Sequence, residues 1–163
     1  MDMSYSESTG WLVLESARLK LSTNPAHAIA LTRNISESSP AAVEAKITSS
    51  KAYGLLGRID DAKAVSTKAT QLAESIDDSR GEDLRISAKL QCAHLDSLVN
   101  NYADAMAGYE ACLSVAKESN DQVLHVKVSD KMIYVHYSLG EYDRGFKVCR
   151  EALELHKALD SRR

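Results

Sequence analysis

The residues of this chain best suited to metal ligation or nucleophilic chemistry are Cys92, Cys112, Cys149 and the histidines at 27, 94, 125, 136 and 156. Their spacing argues against both roles. Cys92 and His94 stand two apart, and on a helix that separation points them to different faces. The remaining cysteines and histidines are dispersed and form no set with metal-ligand spacing. No HExxH, CxxC or GxSxG string occurs, and the seven glycines are scattered rather than gathered into a phosphate-binding loop. The expectation is therefore no catalysis, no cofactor and no metal. The three cysteines are an odd, widely spaced set, which is not a disulfide framework. All three read as small core residues at helix crossings.

A second set of side chains suits recognition rather than reaction. Lys51, His94, Lys127, Lys131, Tyr134 and Tyr137 combine cationic heads with amphipathic rings, which fit an acidic peptide or a C-terminal carboxylate. The same residue types also decorate ordinary solvated helix faces, so both readings stand at this level. With 20 Lys+Arg against 23 Asp+Glu, the net charge is -3. That balance supplies neither a nucleic-acid footprint nor a polybasic membrane anchor. Apolar runs such as Trp11 to Leu14 fall far short of the roughly 20 residues of a spanning helix. The start, MDMSYSESTG, lacks the basic and apolar regions of a signal peptide. A cytoplasmic protein is expected.

The elements that would position these residues are helices. Both prolines, Pro25 and Pro40, lie in the first quarter, and strand-like alternation is absent. Apolar residues instead recur at three and four, as in Ile86, Leu90 and Ala93. Self-comparison exposes a repeat. The strings beginning at Leu55, Leu98 and Ser138 align without gaps. Each opens on a turn at Gly57, Asn100 or Gly140, and each continues with a bulky residue at Ile59, Tyr102 or Tyr142. Small residues follow at Ala62, Ala105 and Gly145, and again at Ala69, Cys112 and Ala152. Ala28 and Ile35 take the same two places near the N-terminus. The steps from Ala28 to Ala62, Ala105 and Gly145 are 34, 43 and 40 residues, and the second position repeats the same three values.

The pattern has a physical logic. Glycine or asparagine at the turn accommodates the left-handed conformation that ends a helix. Asp60, Asp61, Asp104, Glu141 and Asp143 then complement the next helix's N-terminal dipole. The small residue lets two helices cross closely, and the bulky one fills the gap beside them. The spacing predicts helices over about 5–22, 25–36, 40–56, 60–76, 82–99, 102–119, 123–139 and 142–160. Asn24 and Ser39 are the expected caps, with Pro25 and Pro40 in the first turn.

On these residues the chain resembles the tetratricopeptide repeat family. LGEYDRGFKVCREALEL resembles the family consensus over its whole second helix, and LGRIDDAKAVSTKATQL and NNYADAMAGYEACLSV are similar to it; the resemblance covers roughly residues 8–160. The large aromatic usual early in the first helix is missing from the last three repeats, where its small partner is Ser50, Ala93 or Ile133. The resemblance implies an all-α fold: a right-handed α-α superhelix of about four hairpins (about 5–36, 40–76, 82–119 and 123–160) in one domain spanning 1–163. It implies a protein- or peptide-binding module acting as scaffold or regulatory region. The long repeats are similar to those in bacterial signalling proteins. The alternative is therefore an N-terminal sensor of a longer diguanylate cyclase or transcription factor.

In that frame the first helix of each pair lines a concave face. It would present Glu44, Ile47, Lys51 and Leu55, then Ser87, Leu90, His94 and Ser97, then Lys127, Asp130, Lys131, Tyr134 and Tyr137. Against the clamp by which family members grip chaperone tails, Lys127 and Lys131 match in type and Gln91 approximates the amide, while Ile47 and Lys51 depart. In the C-terminal helix, Phe146, Cys149, Ala152, Leu153, Leu155, His156 and Leu159 form an apolar stripe wider than one packing face requires. Phe146, Leu153, Leu155 and Leu159 are the candidate self-association face. Homodimerisation through this helix, or its burial by further helical chain, is expected.

Overall fold

A computed structural model of the chain describes residues 3–77 and 79–161, with side chains for 8–77 and 80–161. The described residues form eight helices and no strand: α1 (Met3–Lys20), α2 (Pro25–Arg33), α3 (Ala42–Leu55), α4 (Ile59–Glu74), α5 (Ser79–Leu98), α6 (Tyr102–Glu118), α7 (Gln122–Ser138) and α8 (Tyr142–Asp160). The fold is all-α, and consecutive helices pack on one another from α1 to α4 and from α6 to α8. None of these helices is long and apolar enough to cross a membrane. Contacts divide the chain into two compact units, Met1–Leu95 and Asp96–Arg163.

The turns form as their residues dictate. Gly57 and Gly140 both adopt φ 72°, Asn100 adopts 61° and Asn120 adopts 54°. Each is followed by a residue whose amide reaches back five positions to close the preceding helix: Arg58 to Tyr53, Asn101 to Asp96, Asp121 to Ala116 and Glu141 to His136, at 2.8–2.9 Å. Asn120 does for the α6–α7 connection what the other three do inside hairpins. A Cβ at Gly140 would touch nothing within 4 Å. Gly140→Ala therefore pays only the backbone penalty, and is expected to cost about 1–2 kcal/mol by urea denaturation. Gly140→Asn should cost clearly less.

Among the described residues, two helix starts carry side-chain caps. Asn24 Oδ1 accepts from the His27 amide at 3.0 Å, with Pro25 at the first helical position, as expected. Asp121 Oδ1 accepts from the Leu124 amide at 2.9 Å. Ser39 Oγ accepts from the Ala41 amide at 3.3 Å, as the expected cap would, but the helix does not start there. Ser36–Ser39 and Ser39–Ala42 backbone bonds wind this stretch into successive turns, and α3 begins only at Ala42, with Ala41 at its cap position.

The repeated positions all face inward. Ala28, Ala62, Ala105 and Gly145 are buried, and so are Ile35, Ala69, Cys112 and Ala152. In the first unit α1 packs on α2 and α3, α2 on α3, and α3 on α4. One core cluster joins Ala17, Ala28, Ile29, Ala52, Tyr53, Ala62 and Leu95; a second joins Val43, Ile47, Ala69, Ala73, Leu84 and Ala88. A core this rich in alanine brings helix backbones close enough for polar bonds between them. Ser50 Oγ donates to the Ala62 carbonyl at 3.0 Å and accepts from Gln91 Nε2 at 3.2 Å, tying α3, α4 and α5 together. Ser66 Oγ and Cys92 Sγ meet at 3.1 Å between α4 and α5. Arg85 caps the end of α4 by donating to the Ala73 and Ile76 carbonyls. In the second unit α6 packs on α7 and α7 on α8.

Candidate recognition face

α7 is built as a helix with one committed inner side. Val126, Val128, Ser129, Met132, Val135 and His136 are buried. What remains outside, at alternating steps of four and three, is Val123, Lys127, Asp130, Tyr134 and Tyr137. These five are exposed, and Lys131 beside them is half-buried. Val123, Tyr134 and Tyr137 leave 64%, 51% and 68% of their surface open, an unusual outlay of large side chains on one helix face. The Tyr137 ring stands edge-on to Tyr142 at 5.8 Å between centroids, which carries the face across the turn onto α8. Tyr142 is thus exposed, where the repeat pattern assigned it the gap-filling role that half-buried Ile59 and Tyr102 take.

The hairpin turn beneath this face is held by a charged contact. His136, buried at the end of α7, donates from Nδ1 to Glu141 Oε2 at 2.8 Å, and Arg144 Nη1 donates to Glu141 Oε1 at 3.0 Å. α7 and α8 lie close here, since a Cβ added at Gly145 would stand 3.4 Å from His136 Cβ. The His136 hydrogen bond, and after it Arg144, holds the Glu141 carboxyl below its ordinary value of 4.5. A depressed carboxylate stabilises the fold above its unfolded pKa, and that contribution is lost as pH falls through the folded one. Glu141→Gln should therefore lower Tm near neutrality, with the gap from wild type closing as pH falls through and below about 4.5. A gap that stays constant over that range would leave the carboxylate charge with no part in stability. Elsewhere in the second unit, burial is the main force raising the Tyr109 hydroxyl, and burial followed by Lys117 lowers the His125 imidazole.

Of the six expected peptide-binding residues, Lys127, Lys131, Tyr134 and Tyr137 share the α7 face. Lys51 is exposed on α3 and His94 is half-buried on α5, both in the first unit. Ile47, Leu90 and Ser97, expected to point outward, are buried, as is Gln91. Gln91 is not a ligand-reading amide: its Nε2 is committed to Ser50. Among the expected self-association residues, Phe146 and Leu153 are exposed, whereas Leu155 and Leu159 are half-buried with Val148 on the side that carries buried Gly145 and Ala152. The three cysteines also separate: Cys112 is buried, Cys92 half-buried and Cys149 exposed. Cys149 is therefore not a core residue; it lies about 80° round the helix from the centre of that inner side. Among the described residues no three His, Cys, Asp or Glu side chains converge as for a metal ion. The chain matches no protein-family model and no curated protein sequence.

Proposed function

We propose that this chain is a helical-repeat recognition module of the tetratricopeptide kind, which captures a segment of another protein and serves as a scaffold or regulatory region. The observation that carries this reading is the α7 face, with Lys127, Lys131, Tyr134 and Tyr137 arrayed outside and Val123 at its start. Tyrosine offers a large, stiff contact surface at small entropic cost. Lysines one turn apart pair with carboxylates, and Asp130 between them offers an acceptor for a backbone or side-chain donor. The ligand favoured by that mixture is an extended acidic peptide or a free C-terminus. The recurrence of small buried residues at Ala28, Ala62, Ala105 and Gly145 supports the repeat assignment.

The test is binding of the chain to arrays of acidic peptides, each carrying either a free or an amidated C-terminus. Lys127→Glu and Tyr134→Ala should each weaken the bound peptides by about tenfold or more, the range of interface anchors. Helical circular dichroism should not change, because both side chains are exposed. Lys51→Glu, made separately, reads whether the first unit shares in binding. Peptides that bind wild type and the α7 variants equally would remove this face from consideration.

A further inference from the structure

We infer that the outer face of α8 is a self-association surface, on which a second copy of this chain docks its own α8 antiparallel about a two-fold axis close to Arg150. This goes beyond the recognition reading above and does not depend on it.

The first observation is an uncovered stripe. Tyr142, Phe146, Cys149, Leu153 and His156 recur at alternating steps of four and three along α8, and all five are exposed, Phe146 to 69%. The positions that match Cys149 in the repeat are Ser66 on α4 and Tyr109 on α6, and both are buried. At Ser66 the cover is a neighbouring helix, through Cys92 of α5 at 3.1 Å. The α8 stripe is thus the same helix face, without the same cover among the described residues.

The second observation selects the occupant. Beside the stripe the exposed charges run Asp143, Lys147, Arg150, Glu154 and Lys157. Set antiparallel against itself with the axis near Arg150, this order places Asp143 opposite Lys157, Lys147 opposite Glu154, and Phe146 opposite Leu153 of the second copy. The two Arg150 side chains then flank the axis, each within reach of the other copy's Glu151 or Glu154. Set parallel, every charge would face its like. Asp143, Lys147 and Arg150 make no ion pair among the described residues, so they are available to a partner. Glu154 pairs with Lys157 at 2.8 Å within its own helix, a surface contact that a cross-copy lysine can share. An antiparallel pair also brings the two Cys149 thiols to either side of the axis.

Sedimentation equilibrium on the full chain tests this directly. The wild type is expected to show a monomer–dimer equilibrium, and Phe146→Asp to sediment as a monomer throughout. Lys147→Glu sets two like-charged pairs across the two-fold axis and should raise the dimer Kd about tenfold. The double variant Lys147→Glu with Glu154→Lys restores opposite charges and should recover the wild-type Kd. That recovery is specific to the antiparallel register, and circular dichroism on these exposed-site variants checks that each is folded. A short bis-maleimide should link two wild-type chains through Cys149, and Cys149→Ser should abolish the link. A wild-type chain that remains monomeric at concentrations approaching millimolar overturns the inference. So does a dimer indifferent to Phe146→Asp, or a Lys147→Glu defect that Glu154→Lys fails to repair. A monomer whose Cys149 resists maleimide places some other segment on the stripe and equally overturns it.

Discussion

Replacing Ala62 by leucine is expected to destabilise the first unit by about 1–3 kcal/mol, whereas the same change two residues on, at Ala64, should fall within about 0.5 kcal/mol of neutral. Both alanines lie on α4, so helix propensity changes equally and cancels from the comparison. Ala62 is fully buried within the cluster of Ala17, Ala28, Ala52, Tyr53 and Leu95, and its carbonyl accepts the Ser50 hydroxyl. A leucine there has no void to fill. It must push α3 from α4, which both strains the cluster and lengthens the Ser50 bond. Ala64 is exposed and meets no such wall. Urea denaturation of the two variants side by side reads the difference. Equal midpoints would mean that the close crossing is not at this point of the hairpin.

That crossing was legible in the sequence because it is a local demand repeated at fixed spacing. The last three hairpins each need a residue tolerant of positive φ at the turn and a small residue one turn into the second helix. Gly57, Asn100 and Gly140 meet the first demand, and Ala62, Ala105 and Gly145 the second. Helix ends followed for the same reason, because caps and turn residues act within a few positions. The inner and outer faces were harder. In α3, Ala42, Val43, Ala45, Ile47, Thr48, Ser49, Ser50, Ala52 and Tyr53 are all buried, so this helix is enclosed on nearly every side. Period 3.6 identifies an outer face only when a helix has one. Ile47 therefore reads as part of the concave face although it is covered. The same blindness made Gln91 look like a reader of ligand, because an amide in a helix gives no sign of which hydroxyl it will meet 41 positions away. Cys149 failed in the opposite sense. Free cysteine is ordinarily buried, and the repeat position it occupies is buried in α4 and α6. Its exposure follows from what packs on the helix, which the residue itself does not encode.

The second large effect concerns the polar chain through the alanine core. Ser50→Ala is expected to cost about 1–3 kcal/mol, although it removes a single oxygen. Two consequences follow from that oxygen. The Ala62 carbonyl loses a donor from outside its own helix, and Gln91 Nε2, in a residue 95% buried, loses its acceptor. A buried amide donor left without a partner carries nearly its whole desolvation penalty, which exceeds the net worth of the bond that was broken. The cost should therefore depend on Gln91 being present. Gln91→Leu alone takes away one donor while Ser50 still bonds to the Ala62 carbonyl, so it should cost less than Ser50→Ala. The double variant should be less destabilised than the two single changes combined, because it leaves no orphaned amide. A double-mutant cycle by urea denaturation measures that coupling, expected at about 0.5–3 kcal/mol for groups in direct contact. Strict additivity would mean that Gln91 finds water or another acceptor once Ser50 is gone, and that Ser50 contributes through its bond to the Ala62 carbonyl alone. Strong coupling would instead give α5 a fixed rotational setting on α3 and α4, specified by one hydroxyl at the place where the alanine core lets three backbones draw close.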